Sequence, residues 1–90
     1  MHAVVVNVTI NDFDRGVEML NERIVPAVSQ APGFVAGYWT RSEDNRGMSL
    51  IAFESEDAAR GAAQMIESQA PQDDAVTLEG VEVREVVANA

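Results

Sequence analysis

The sequence predicts an α+β domain of order β-α-β-β-α-β, one antiparallel four-stranded sheet with two helices on one face. Three observations predict it. Runs rich in β-branched residues lie near both ends, "VVVNVTI" at 4–10 and "VTLEGVEVREVVA" at 76–88. Two stretches between them repeat apolar residues at helical spacing. Two further strand-like runs, "FVAGYWTR" at 34–41 and "MSLIAFE" at 48–54, are separated only by the polar "SEDNRG", a connection that allows nothing but an antiparallel hairpin.

In chain order, Val4 to Ile10 forms the first strand, and Asn11 or Asp12 stops it and offers a side-chain oxygen to cap a helix. Phe13, Val17, Leu20, Ile24 and Val28 then form an apolar stripe, with Asp12, Asp14 and Glu18 at the end where the helix dipole favours negative charge. Pro26 lacks a backbone donor, so a kink or early end is expected near Val25. "QAPG" at 30–33 supplies the turn into the second strand. After the hairpin, Ser55 is an N-cap, Glu56 and Asp57 occupy the first turn, and Ala58, Ala62, Met65 and Ile66 give the second helix its apolar face. "SQAPQDD" ends that helix, and the last strand is broken or bulged at Gly80. No linker interrupts the 90 residues, so 1–90 reads as a single domain.

A chain of this length buries only about 60–65% of its unfolded surface, so burial against a partner subunit would add to a lean core. There is no cysteine, which removes disulfides, thiolate nucleophiles and sulfur-ligated zinc. Six basic residues, all arginine, stand against fifteen acidic ones for a net charge of −9, a field that repels nucleic acid and anionic membrane surfaces. No apolar run approaches the about 20 residues of a membrane span, and no secretory leader is evident. The expected location is the cytoplasm. His2 stands alone and is expected in solvent, the acidic clusters lack calcium-loop spacing, and Gly33 and Gly37 do not form a phosphate cradle. Neither a metal nor any other cofactor is expected.

Alternation along the first strand puts Val4, Val6, Val8 and Ile10 on one face and Val5, Asn7 and Thr9 on the other. The uninterrupted set is expected against the helices. If parity corresponds, Ile51 and Phe53 join Val5 on the second face, which is then too apolar for solvent. A second copy of the sheet packed across a two-fold axis would cover it and enclose an interior beside Asn7. In the last strand Arg84 shares a face with Glu82 and Val86 and can reach that interior. Both faces of the second strand are apolar, so Tyr38 and Trp39 point opposite ways and one of them lines the cavity.

"VVVNVTI", "IVPAVSQAPGFVAGYW" and "LIAFESEDAARGAA", together with the last strand, resemble the antibiotic-biosynthesis-monooxygenase-like family of dimeric α/β-barrel proteins over nearly the whole chain. The resemblance implies cofactor-free oxygenation of a phenolic or polyketide-like substrate or, in one branch, oxidation of haem. An asparagine on the first strand recurs in both branches and is matched by Asn7. The haem-degrading branch places a tryptophan before the Glu-Ser pair, where this chain has Phe53, and needs a histidine on or after the second helix, where this chain has none. Those departures argue against haem degradation.

The sequence thus gives a homodimer enclosing a small apolar or aromatic molecule, with Asn7 and Arg84 as candidate catalytic residues and Val5, Thr9, Tyr38, Trp39, Ile51 and Phe53 as candidate pocket walls. Asn7 would donate to an oxyanion or peroxide as charge develops; its alternative is an amide satisfied within the dimer interface. Arg84 would hold an anionic substrate; its alternative is an ion pair with Glu82. Competing readings of the whole chain are a non-catalytic ligand-sensing or assembly module, and a barrel filled by its own side chains.

Overall fold

The computed structural model describes residues 1–69 and 75–90. Of the stretch at 68–74 expected to end the second helix, Ser68 and Gln69 still belong to it and 70–74 lie outside the described residues. Strands β1 (His2–Ile10), β2 (Phe34–Arg41), β3 (Arg46–Phe53) and β4 (Val76–Glu85) form one antiparallel sheet in the order β2-β3-β1-β4, the ferredoxin-like arrangement. The central pair carries the β-branched run, whose side chains fit a pleated surface packed on both flanks.

Between β1 and β2 the chain is helical from Phe13 to Ser29, in three parts: α1 (Phe13–Met19), a π-helical turn (Leu20–Ile24) and α2 (Val25–Ser29). Asp12 caps α1 by accepting from the Arg15 N–H at 3.2 Å. The helix neither stops nor breaks at Val25. Instead the Val25 N–H donates to the Leu20 carbonyl, a five-residue step that widens the turn just ahead of Pro26, and the helix resumes. A wider turn relieves the clash of the proline ring with the preceding turn, which is how Pro26 is accommodated without ending the helix. The second helix, α3 (Glu56–Gln69), opens where expected, with the Ser55 hydroxyl accepting from the Ala58 N–H.

Several strand boundaries differ from the sequence expectation, and β1 already pairs from His2, two residues before Val4. β3 begins at Arg46, leaving a tight loop at 42–45, because Asn45 adopts a left-handed φ of 61° and the Ser42 N–H bonds back to the Arg46 carbonyl. β4 ends at Glu85, although the Val86 N–H still donates to the Met1 carbonyl. The expected irregularity at Gly80 is a register shift, with Asn7 opposite Gly80 and Val8 opposite Leu78.

The core lies between sheet and helices. Val4, Val6, Ile51 and Phe53 from the sheet pack with Val28 of α2 and Ala59, Ala62 and Ala63 of α3. Small alanines let α3 approach the sheet closely, and Phe34 meets Phe53 edge to face at 6.2 Å. The fully buried side chains collect at this end of the sheet.

Ile51 and Phe53 therefore face the helices, against the expectation that they share a face with Val5. The register sets Val4 opposite Ile51 and Val5 opposite Leu50, so the helix-free face carries Met48 and Leu50 from β3 instead. Single-residue parity inverts a whole strand, and β3 is apolar at both parities. The helix-free face is nevertheless apolar: Tyr38, Met48 and Leu50 are 66%, 45% and 42% exposed, around a buried Val5.

Candidate functional site

Away from the fully buried cluster, the helical segment from Phe13 to Val28 stands clear of the sheet and leaves a cavity of about 680 Å³, within the usual size of small-molecule pockets. Its floor is the helix-facing side of the sheet, where Val6 and Val8 of β1 meet Gly47, Ser49 and Ile51 of β3. Its roof is the apolar stripe of the helix, including Val17, Leu20 and Ile24. These residues are half-buried, because one side of each borders open space.

Trp39 forms a side wall. It sits two residues beyond Gly37 on β2, and a Cβ at position 37 would lie 2.9 Å from Trp39 Cη2. The missing side chain of Gly37 is what lets the indole lie along its own strand. At the start of α1, the Arg41 guanidinium stacks over the Phe13 ring, its Cζ 3.7 Å from the centroid, and both residues line the cavity. The remaining polar side chains facing it include Ser49, Asn21 and Arg23. No aspartate, glutamate or histidine is among the described lining residues. The site can grip an apolar molecule and offer hydrogen-bond donors, but among its described lining residues holds no carboxylate or imidazole base.

The sheet divides the residues expected to form one site. Trp39 and Ile51 line the helix-side cavity; Phe53 is on that side but packed inside the core. Val5, Asn7, Thr9, Tyr38 and Arg84 lie on the helix-free side, as the pairings Val5–Leu50–Tyr38 and Ala3–Arg84 require. The described cavity lies within one chain, beneath its own helices, on the opposite side of the sheet from Asn7 and from the interior expected between two sheets. Asn7 is exposed beside a smaller recess that also involves Thr9, Arg46 and Glu79. Thr9 donates to Glu79 at 2.6 Å. Arg84 donates from Nε to Glu82 at 2.7 Å, the ion pair weighed as its alternative role. Tyr38 and Trp39 do point opposite ways, Tyr38 onto the helix-free face and Trp39 into the helix-side cavity.

His2 also departs from expectation, being half-buried on β1 with its Nδ1 unpartnered. Among the described residues the carboxyls of Asp44 and Glu56 are held below their usual range, Asp44 chiefly by the Ser42 hydroxyl and Glu56 chiefly by its hydrogen bond to Arg60. Both are exposed and neither borders the cavity. Sequence reasoning missed Phe13, Gly37, Arg23 and Arg41. Phe13 reads as one more core residue of the stripe, and strand alternation from Trp39 to Arg41 was the available signal for the arginine.

No family model matches the sequence, and no curated protein matches it. Solved structures do. SnoaB from Streptomyces nogalater, a cofactor-independent oxygenase, superposes with a TM-score of 0.73 at 18% identity, covering 98% of this chain and 94% of that one. This chain has the fold of that oxygenase. MhuD, a haem degrader from Mycobacterium tuberculosis, matches with a TM-score of 0.62 at 21% identity over 100% of this chain and 99% of that one. A dimeric ferredoxin-like protein from an uncultured marine organism gives 0.68 at 10% identity, covering 100% and 98%. The resemblance to the antibiotic-biosynthesis-monooxygenase-like proteins thus holds at the level of fold. Among the described residues no helix is long and apolar enough to cross a membrane.

Proposed function

We propose that this chain is a small-molecule-binding protein that holds a largely apolar or aromatic ligand between its sheet and its first helical segment, pairs through its helix-free face into a homodimer, and acts on the ligand as a cofactor-independent monooxygenase. The observation that carries the binding half is the apolar cavity walled by Trp39. The fold shared with SnoaB supports the chemical half.

In that chemistry the substrate supplies the electrons. An anthrone-like anion reduces dioxygen, the resulting substrate peroxide loses water, and a CH2 becomes a carbonyl, so that substrate plus O2 gives ketone plus H2O. With no carboxylate or imidazole among the described lining residues, the substrate must be acidic enough to arrive ionised. The protein's part is to exclude water and donate hydrogen bonds to developing negative charge, for which the Trp39 indole, Asn21 and Ser49 are at hand. Asn7 and Arg84, on the other face, are assigned to the dimer contact.

The same lack of a base favours a second reading, a non-catalytic ligand-sensing or assembly module of this fold. Oxygen uptake with the anthrone dithranol separates the two. Catalysis predicts consumption above the spontaneous rate, diminished in Trp39→Ala and unchanged in Asn7→Ala. Tight binding with no added oxygen uptake leaves the sensing reading alone standing.

A further inference from the structure

The cavity's ligand class can be narrowed by where this acidic chain keeps its unpaired positive charge. Of the six arginines, Arg46, Arg60 and Arg84 are ion-paired to Asp44, Glu56 and Glu82, and Arg15 is also engaged. The two with no carboxylate partner among the described residues are Arg23 and Arg41, and both line the cavity. In a chain with fifteen acids against six bases, pairing is the default for an arginine. No acid among the described residues lines the cavity to neutralise these two.

Resting on the reading of the cavity as a binding site, we propose that its ligand is a carboxylic acid on an apolar, ring-bearing skeleton, with the carboxylate taken by Arg41 at the Phe13 end and Arg23 adding positive potential from the helical wall. The stack on Phe13 fixes the guanidinium plane, with its Cζ 3.7 Å from the ring centroid. Stacking occupies one face of the guanidinium and leaves its N–H edges free, the geometry a carboxylate meets with two parallel hydrogen bonds. The ring system then lies along the apolar floor toward Trp39. Both arginines are solvent-exposed, so they sit where an anion first meets a chain whose overall field would otherwise repel it.

Calorimetric titration with 2-naphthoate and its neutral isostere 2-naphthamide, at low and at moderate salt, tests this on the intact chain. The acid is expected to bind about tenfold more tightly than the amide, in keeping with a charge-assisted hydrogen-bonded pair, and the margin should shrink with salt. Arg41→Gln is expected to erase the preference by weakening the acid alone, Arg41→Lys to keep part of it, and Arg60→Gln to leave both affinities as they were. Equal affinities in the unaltered protein, or a preference that survives Arg41→Gln and Arg23→Gln alike, would overturn anion selection while leaving the binding cavity intact. If neither naphthalene binds, the cavity reading falls as well, and this proposal with it.

Discussion

Trp39 owes its place to an absence two residues earlier, and that makes Gly37 testable. A methyl group at 37 meets the indole at 2.9 Å, so Gly37→Ala must rotate the ring away from its strand. Because Trp39 is the only tryptophan, its emission should shift in this variant, and affinity for 2-naphthamide should fall with it. Phe53 makes a different demand. Fully buried against Phe34 and the α3 alanines, its truncation to alanine should cost about 3–5 kcal/mol, read from denaturant midpoints, because close-packed neighbours cannot fill the void. At the surface, Arg60 holds the Glu56 carboxyl below its usual range, so Arg60→Ala should raise the Glu56 titration midpoint in a carbon-13 carboxyl NMR titration. The associated stability is present above the carboxyl's ordinary range, is lost as pH falls through the depressed value, and should be small because the pair is exposed. The opposition of Tyr38 and Trp39 was legible, since alternation requires it; which of them lines a cavity was not, because the residues of β2 are apolar at both parities.

Element boundaries were legible wherever a residue's own chemistry sets them. Ser55 caps α3, Asp12 caps α1, and Gly33 makes the turn into β2 with a φ of 80°. At Gly33 a Cβ would also lie 2.9 Å from that of Ala58, and the Gly33 carbonyl itself accepts from the Glu54 N–H, so this turn is held against the start of α3. Gly33→Ala should accordingly destabilise the fold by roughly 1–3 kcal/mol, visible as a lowered thermal midpoint. Pro26 shows the limit of local reading. Its missing donor correctly marks a disturbance at Val25, but whether the chain kinks, stops or widens depends on what the next turn can pack against. Val28 is fully buried in the core, and that burial favours continuing the helix past the proline by way of a π turn. The β1–β3 register was beyond local reading for a related reason: those strands meet across the whole chain from 11 to 45, and no turn fixes their offset.

At the scale of the whole molecule, the sequence's excess of apolar strand residues was read as a cavity wall shared by two copies, whereas the structure resolves it into two separate surfaces. One is the roofed cavity. The other is the helix-free face bearing Tyr38, Met48 and Leu50, and it is this face that the homodimer would cover. Four strands of about eight residues give a face on the order of 500 Å² at ordinary strand spacing, short of the roughly 800 Å² per partner of a standard interface. The contact must therefore extend past the sheet. Leu50, paired with both Val5 and Tyr38 near the middle of the face, is the position where a charge does most harm. In Leu50→Glu, two carboxylates would be driven into the apposed sheets without partners, so light scattering should report a dimer for the unaltered chain and a monomer for the variant. Because the cavity lies on the opposite side of the sheet, the same variant should bind 2-naphthamide as the unaltered chain does. A Leu50→Glu protein that stays dimeric would mean the copies meet elsewhere, and one that becomes monomeric and loses the ligand would mean the roof over the cavity needs the partner for support.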